Sequence, residues 1–395
     1  MIEKLFNKRV RKFIDENEFA DPFSLALKYK EIDGADISII IDQIKGRAIA
    51  KKKLPLWHSK TDVVYPPKIS LEQCSSQETG LYKASLVSGK TIVDLTGGAG
   101  VDLYFLSQNF DKAFYIERNY DLLQVSEHNF SVLKADNVQC FNSTSETFLS
   151  NFSKEADVIY LDPARRATSG KKVFQLEDCE PNVIEMLPML LSKGKKVLIK
   201  TSPMLDVSSG LKNLRNVKEV HIVSVENECK ELLYLISDKA EGPNIKTVNI
   251  KRNGQNQCFN FMLENEAEAH LNVFSKPLNY LYEPNASILK SGAFKLISQH
   301  FDVMKLHPNT HLYTSKTLVD NFPGRTFEIK EITKYNKKEI AKALPDKKAN
   351  IAARNFPEEV SQIRKRMKIS DGGEIYLFAC TGFENEKMII ITKKL

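Results

Sequence analysis

No apolar run in this 395-residue chain approaches the ~20 residues that a membrane-spanning helix needs. The N-terminus, MIEKLFNKRVRKF, lacks the apolar core and small-residue cleavage site of a secretory signal. The expectation is a cytoplasmic protein without membrane contact. Cysteine is sparse: Cys74, Cys140, Cys179, Cys229, Cys258 and Cys380 are scattered, with no C-x-x-C pair. That spacing argues against a zinc ribbon, an iron–sulfur site or a disulfide framework, so no metal is expected. Six reduced thiols, mostly buried and inert, are the natural reading. Internal repeats and low-complexity tracts are absent as well.

What is present is an ordinary globular composition, with 42% hydrophobic and 27% charged residues, at a length that accommodates two or three domains. The net charge of +7 is mild but unevenly placed. Arg325 to Leu395 holds 16 Lys/Arg against 10 Asp/Glu. A basic patch on one domain is the footprint of a nucleic-acid binder, and equally that of a solvated surface on a basic protein.

Residues 1–70 read as a helical N-terminal domain, with Leu5, Val10, Phe13 and Ile14 as its first apolar positions and Asp21-Pro22 as a helix start. From Thr91 the chain alternates. Strands are expected at 91–95, 112–117, 137–141, 157–162 and 196–202, with helices clearest at Tyr120–Lys134 and Pro181–Ser192. Strands separated by helices imply a parallel sheet with right-handed crossovers. The alternation then breaks. Strands 219–225 and 231–237 are joined by a linker too short for a crossover helix, so they should form an antiparallel hairpin. After Gly242-Pro243 another hairpin is expected from Thr247–Lys251 and Phe259–Met262. A β-α-β module should follow: a strand at Tyr280, a helix over 286–301 and a strand over 304–313. The remainder reads as strand 327–332, helix 337–344, strand 349–353, helix 357–367 and two closing strands, 374–380 and 388–392.

The chemistry centres on Asp94-Leu-Thr-Gly-Gly-Ala-Gly100, a glycine cluster between a β-branched strand and an apolar-periodic helix. Strand, glycine turn and helix bring backbone N–H groups close to a bound cofactor. Glu117 ends the next strand, where a carboxylate can accept both hydroxyls of an adenosine ribose. Both a nicotinamide dinucleotide and S-adenosylmethionine (SAM) would use it there; a helix N-terminal charge is the plainer role. The fourth strand leaves through Asp162-Pro163-Ala164-Arg165-Arg166 at the carboxyl edge of the sheet, where ligands bind.

Asp94–Gly100, Tyr115-Ile-Glu-Arg118 and Leu161-Asp-Pro-Ala-Arg-Arg166 resemble the cofactor and substrate motifs of class I SAM-dependent methyltransferases. The hairpin at 219–237 fits the reversed strand that closes their sheet. Tyr65–Thr79, with Tyr82-Lys-Ala84, resembles the entry segment of bacterial methyltransferases that carry a ferredoxin-like module and a C-terminal THUMP-like domain. The implied fold is a Rossmann-like α/β sheet with a terminal antiparallel hairpin, a helical N-terminal domain and small α+β C-terminal domains. The implied domains are 1–70 (helical), 71–242 (SAM-dependent methyltransferase), 243–279 (hairpin extension), 280–324 (ferredoxin-like) and 325–395 (THUMP-like).

On that resemblance Asp94, Thr96, Gly98 and Gly100 would surround the methionine end of SAM, with Asp102 as a further contact or a mere charge on the first helical turn. Glu117 would hold the ribose and Arg118 would lie beside the adenine. The Asp often found after strand three is replaced by Asn142-Ser-Thr-Ser145, which leaves Asn142 as the candidate for the adenine edge. Gln73, Ser75, Thr79 and Tyr82 would pack over the cofactor mouth. Asp162 and Pro163 would line the acceptor site, accepting from a target amino group. In place of the second proline and the aromatic of amino-nitrogen methyltransferases stand Ala164 and Arg165. Arg165 and Arg166 could clamp phosphate instead. A pyrimidine-C5 mechanism would need a nucleophilic cysteine; Cys179 is the nearest, and nothing near it marks it as activated.

THUMP domains are RNA-binding modules, so Arg364, Lys365, Arg366 and Lys368 become candidate RNA contacts, against the alternative of an ordinary charged helix face. The reading is a SAM-dependent methyltransferase acting on structured tRNA or rRNA. The alternatives are an RNA-binding protein that retains a SAM fold without catalysis, and a small-molecule or protein methyltransferase.

Overall fold

The structure, a computed structural model, describes residues 4–5, 7–165, 176–238, 242–271 and 274–395. It divides into two compact units, Met1–Lys218 with Leu232–Glu241, and Glu219–Glu231 with Gly242–Leu395.

The first unit opens with helices α1 (Lys8–Glu16), α2 (Pro22–Lys28) and α3 (Ile37–Lys53). Asn7, Asp21 and Asp36 cap their N-termini through side-chain oxygens, which satisfies backbone donors no helix can pair internally. Val10, Ile14, Leu25, Ile40 and Ile44 form the core between them. The region is not purely helical: Glu31–Ile32 and Ala35–Asp36 pair across Asp33-Gly34, both at positive φ. Two-residue strands carry no readable periodicity, so the sequence signal of this hairpin is the Asp-Gly dipeptide alone.

Helix α4 (Gln77–Leu86) leads into the sheet. Its strands in chain order are β1 (Gly89–Asp94), β2 (Phe110–Glu117), β3 (Val138–Asn142), β4 (Ala156–Leu161) and β5 (Gly194–Thr201). They are followed by β6 (Val217–Val225) and β7 (Glu228–Ser237). Helices α5 (Val101–Ser107), α6 (Tyr120–Val132), α7 (Ser145–Asn151) and α8 (Val183–Lys193) fill the connections. The spatial order within this unit is β7-β5-β4-β1-β2-β3. Pairs β5–β4, β4–β1, β1–β2 and β2–β3 are parallel, and β7 runs antiparallel to β5. The expected link between β6 and β7 shrinks to Glu226-Asn227, both left-handed, the conformation of a two-residue hairpin turn. Ile92, Val93, Val158, Ile159, Val197, Leu198 and Ile199 are fully buried, as a sheet covered on both faces requires. Because β1 has β2 on one side and β4 on the other, the chain order reverses there. That opens a crevice at the carboxyl edge.

In the second unit β8 (Asn244–Ile250) pairs in parallel with β6 and antiparallel with β9 (Gln257–Met262). The expected 243–279 hairpin therefore also adds to β6, and a short helix, Leu263–Glu268, follows it. A seven-stranded sheet forms the rest, from β10 (Tyr280–Pro284), β11 (Met304–His307), β12 (Thr310–Ser315) and β13 (Gly324–Lys334) with β14 (Asn350–Arg354), β15 (Ile375–Thr381) and β16 (Lys387–Lys394). Its order is β11-β12-β10-β13-β16-β15-β14. Two expectations change. The helix over 286–301 is two helices, Ala286–Ser291 and Leu296–Phe301, parted where Gly292 turns left-handed. The strand over 304–313 is a hairpin, β11 pairing antiparallel with β12 through Pro308-Asn309.

Candidate functional site

The loop between β1 and α5 is shaped by what its glycines avoid. A Cβ on Gly97 would lie 2.3 Å from the Tyr115 ring, so only glycine lets the loop settle on β2. Gly98 and Gly100 take φ of 56° and 74°, the left-handed region that favours glycine. The Tyr115 hydroxyl donates to the Gly98 carbonyl at 2.5 Å, and Ser126 Oγ donates to it at 3.2 Å. Gly98 N in turn donates to Glu117 Oε2 at 2.9 Å, and Asn119 N donates to Oε1 at 2.7 Å. Glu117 is thereby aimed from β2 into the loop, with acceptor capacity left on both oxygens.

Thr96 ties the two central strand ends together. Its hydroxyl accepts from Asp162 N at 2.6 Å and donates to Asp94 Oδ1 at 3.3 Å. Asp94 also accepts from Thr96 N at 2.9 Å and is almost fully buried. Burial, aided by the nearby carboxylates of Asp102 and Asp162, raises its pKa well above the usual carboxylate range.

A cleft of about 320 Å³ lies over these loops. Its floor is Leu95–Ala99, Val101 and Asp102, with Ile116, Glu117 and Arg118 on one side and Ser143–Glu146 beyond. Asp162 and Ala164 flank it, and Ser70, Gln73, Cys74, Glu180 and Pro181 complete the wall. That is the size of a small-molecule site. Among the expected residues, Gln73, Thr96, Gly98, Asp102, Glu117, Arg118 and Asp162 line it. Asp94 and Gly100 lie beneath the loop rather than on the cleft surface.

Other expectations shift. Asn142 is not on the wall: its side-chain amide donates to the Glu117 and Arg118 carbonyls at 2.9 and 3.0 Å, fixing that turn. The neighbouring 143–146 stretch faces the cleft instead. Thr79 is buried on α4, its hydroxyl donating to the Ser76 carbonyl, and neither it nor Tyr82 reaches the wall. Ser75 is buried below it, 3.0 Å from an Asp102 oxygen. Arg118 Nη1 donates to Glu180 Oε1 at 2.6 Å across the rim. Pro163 adjoins the wall residues Asp162 and Ala164 without lining it. Only the backbone of Arg165 is described, in a two-residue strand whose partner is Cys179–Glu180, and Arg166 lies outside the described residues.

Asp102 is neither a loose surface charge nor a free acceptor. It is held by Lys83 at 3.2 Å, Lys200 at 3.4 Å and the Tyr160 hydroxyl at 2.7 Å. Burial opposes its ionisation, but the two ammonium groups more than offset that and bring its pKa below the ordinary value. Lys200 also pairs with Asp162 Oδ2 at 2.6 Å. Neither lysine was distinguishable in sequence from a surface cation. The one available signal was a lysine after three consecutive apolar residues, Val197-Leu198-Ile199, near a strand's carboxyl end.

The thiol on the cleft wall is Cys74, and burial pushes its pKa up to about 11, which keeps it protonated. Cys179, considered above as a nucleophile, is not on the wall. Among the described residues no group of three or more His, Cys, Asp or Glu is placed to hold a metal ion. None of their helices is long and apolar enough to cross a membrane.

In the second unit the basic cluster lies on and just after a helix, Val360–Met367. Two of its arginines are already paired, Arg364 with Asp371 at 2.7 Å and Arg366 with Glu358 at 2.6 Å. Lys365 and Lys368 pair with no carboxylate among the described residues.

A parallel sheet closed by one reversed strand, with a glycine loop and an acidic strand end at its switch point, defines a class I methyltransferase fold. A ferredoxin-like domain model matches residues 280–323, and a THUMP domain-like model matches 324–394. A candidate methyltransferase of known structure from Porphyromonas gingivalis W83 is 32% identical, with a TM-score of 0.88, over 98% of this chain and 97% of that one. The chain therefore belongs to the class I SAM-dependent methyltransferase family that carries a ferredoxin-like module and a C-terminal THUMP-like domain. An rRNA methylase from Streptococcus thermophilus is 14% identical over 41% of this chain and 96% of its own, with a TM-score of 0.32. TrmK of M. capricolum, in complex with S-adenosyl-homocysteine, is 13% identical over 41% of this chain and 69% of its own, also at 0.32. None of the curated proteins matches.

Proposed function

We propose that this protein transfers a methyl group from SAM to a nucleotide in RNA, with the cleft at the carboxyl edge of β1 and β4 as its cofactor site. The observation that carries the reading is Glu117, fixed by two backbone N–H groups at the end of β2 yet with acceptor capacity left toward the cleft. A carboxylate held in that way suits a pair of ribose hydroxyls, since it accepts only. The methionine end would lie against Thr96 and Gly98, above the buried Asp94, and the adenine edge would meet 143–146. The domain boundaries set out above belong to the same reading.

SAM supplies a methyl group on a sulfonium, open to in-line displacement. The chain's own residues then have to align the acceptor and strip its water. Asp162, on the wall opposite Glu117, is the group suited to receive the acceptor's hydrogen bond. Cys74, the thiol on the cleft wall, has its pKa pushed up to about 11 by burial and is not poised as a nucleophile. RNA as the substrate class draws its support from the THUMP-like match and the excess of basic residues in 325–395.

Titration calorimetry on the full chain tests the cofactor half. SAM should bind in the micromolar range, about 8 kcal/mol. Asp94→Ala and Glu117→Ala should each lose most of that affinity. Undiminished binding in both would refute the assignment. RNA retention without methyl incorporation would favour the non-catalytic binder, which the departure at Ala164-Arg165 keeps in view.

A further inference from the structure

On and beneath the acceptor side of the cleft lie four charges, Asp102 and Asp162 on its surface and Lys83 and Lys200 behind them, that methyl transfer by itself does not call for. Lys83, on α4, is fully buried, with Nζ 3.2 Å from Asp102 Oδ1 and 3.0 Å from Ser75 Oγ. Lys200, near the end of β5, places Nζ 3.4 Å from Asp102 Oδ2 and 3.2 Å from the same serine oxygen. That ammonium also lies 2.6 Å from Asp162 Oδ2. Lys83, Asp102, Lys200 and Asp162 thus form one chain of alternating sign. Apolar residues of similar volume often serve stability as well as a buried ion set does, so stability is a weak account of it. Asp162 is its most open member, with 38% of the side chain exposed, against 8% for Lys200 and none for Lys83. The lysines reach an acceptor only through the aspartates.

We propose that Lys200 is a positioning residue of the acceptor site. It holds Asp162 by Oδ2, and Lys83 with Asp102 holds Lys200, so that Oδ1 is presented in ionised form to a proton-bearing acceptor group. The inference rests on the methyl-transfer reading for its purpose, though not for its geometry. Among the described residues the charged groups facing Asp162 are Lys200 from β5, Lys83 from α4, Asp102 from α5 and Asp94 at the end of β1. Burial raises the Asp162 pKa, Lys200 opposes that rise, Asp102 adds to it, and the balance stays above the ordinary carboxylate value. Loss of Lys200 removes the nearest opposing charge. The carboxyl would then take up a proton at higher pH and offer a donor where an acceptor is required.

Carboxyl-carbon NMR on the full chain labelled with [4-13C]aspartate, with the Asp162 signal assigned through D162N, tests this directly. K200M should raise the Asp162 midpoint by about one unit or more, the size expected when an adjacent opposite charge is lost. K200Q, which keeps a donor without the charge, should do the same, and K200R should leave the midpoint near wild type. In a pH profile of methyl transfer to RNA from saturating labelled SAM, the acid limb of K200M should move upward by the same amount. An unmoved midpoint in K200M and K200Q overturns the proposal. A midpoint that moves as expected, in a protein whose wild type transfers no methyl group to RNA, upholds the hold on Asp162 and removes the methyl-transfer reading instead.

Discussion

At the scale of single residues, Gly97 decides how closely the cofactor loop lies on β2. Gly97→Ala forces a Cβ into the Tyr115 ring, whose hydroxyl fixes Gly98. Overpacking of this kind costs about 1–3 kcal/mol. Thermal unfolding should record the loss, and calorimetry should record weaker SAM binding with it. Glu117→Gln keeps the size of the side chain but loses one pure acceptor. SAM affinity should fall by at least ~10-fold, about 1.4 kcal/mol, and the melting temperature should fall modestly, because the amide NH2 can accept from neither Gly98 N nor Asn119 N. Unchanged affinity would mean that Glu117 serves only to cap the turn at Gly98 and Asn119. Glu117 and the glycines were legible because strand, turn and carboxylate follow one another along the chain. Lys83 and Lys200 were not: what sets them apart is a partner 19 or more residues away, and a lysine's own neighbours in sequence do not record it. Asn142 illustrates the opposite error, a polar residue at the right strand end whose amide is spent on backbone carbonyls.

At the scale of elements, one buried carboxylate binds three strands of the second unit. Glu283, at the end of β10, is 2% exposed and pairs with Arg325 of β13 and Arg354 of β14. The Arg354 Nε bond is 2.8 Å long and the Arg325 Nε bond 2.7 Å. The Arg325 guanidinium also lies over the Phe327 and Tyr376 rings. Glu283→Gln leaves two partly exposed cations without their shared anion and should destabilise this unit by ~2 kcal/mol, read as a lower unfolding midpoint. A variant as stable as wild type would show that solvent alone satisfies both arginines. Elements with full periodicity, β1 to β7 among them, were legible within a few residues. Short turns were harder to read. Asp33-Gly34 and Pro308-Asn309 are turn-forming dipeptides, and the strands they join are so short that the reversal shows in the dipeptide and not in any strand periodicity.

At the scale of the whole molecule, the family match over nearly the full chain joins a methyltransferase sheet to a THUMP-like domain. On the proposed RNA reading, with Arg364 and Arg366 paired to local carboxylates, Lys365 and Lys368 are the cations of that cluster left for phosphate. Changing both to Ala should lower the slope of log affinity against log salt by about 1–2 for structured RNA, while SAM binding stays intact. A slope equal to wild type would move the RNA surface elsewhere. The central claim, methyl transfer from SAM to RNA, is tested most directly by incubating the protein with methyl-labelled SAM and total RNA from a strain lacking its gene. The account predicts label in a discrete RNA band, lost on nuclease treatment and absent with RNA from the parent strain, whose sites are already methylated. No incorporation, or label that survives nuclease and yields to protease, would contradict it.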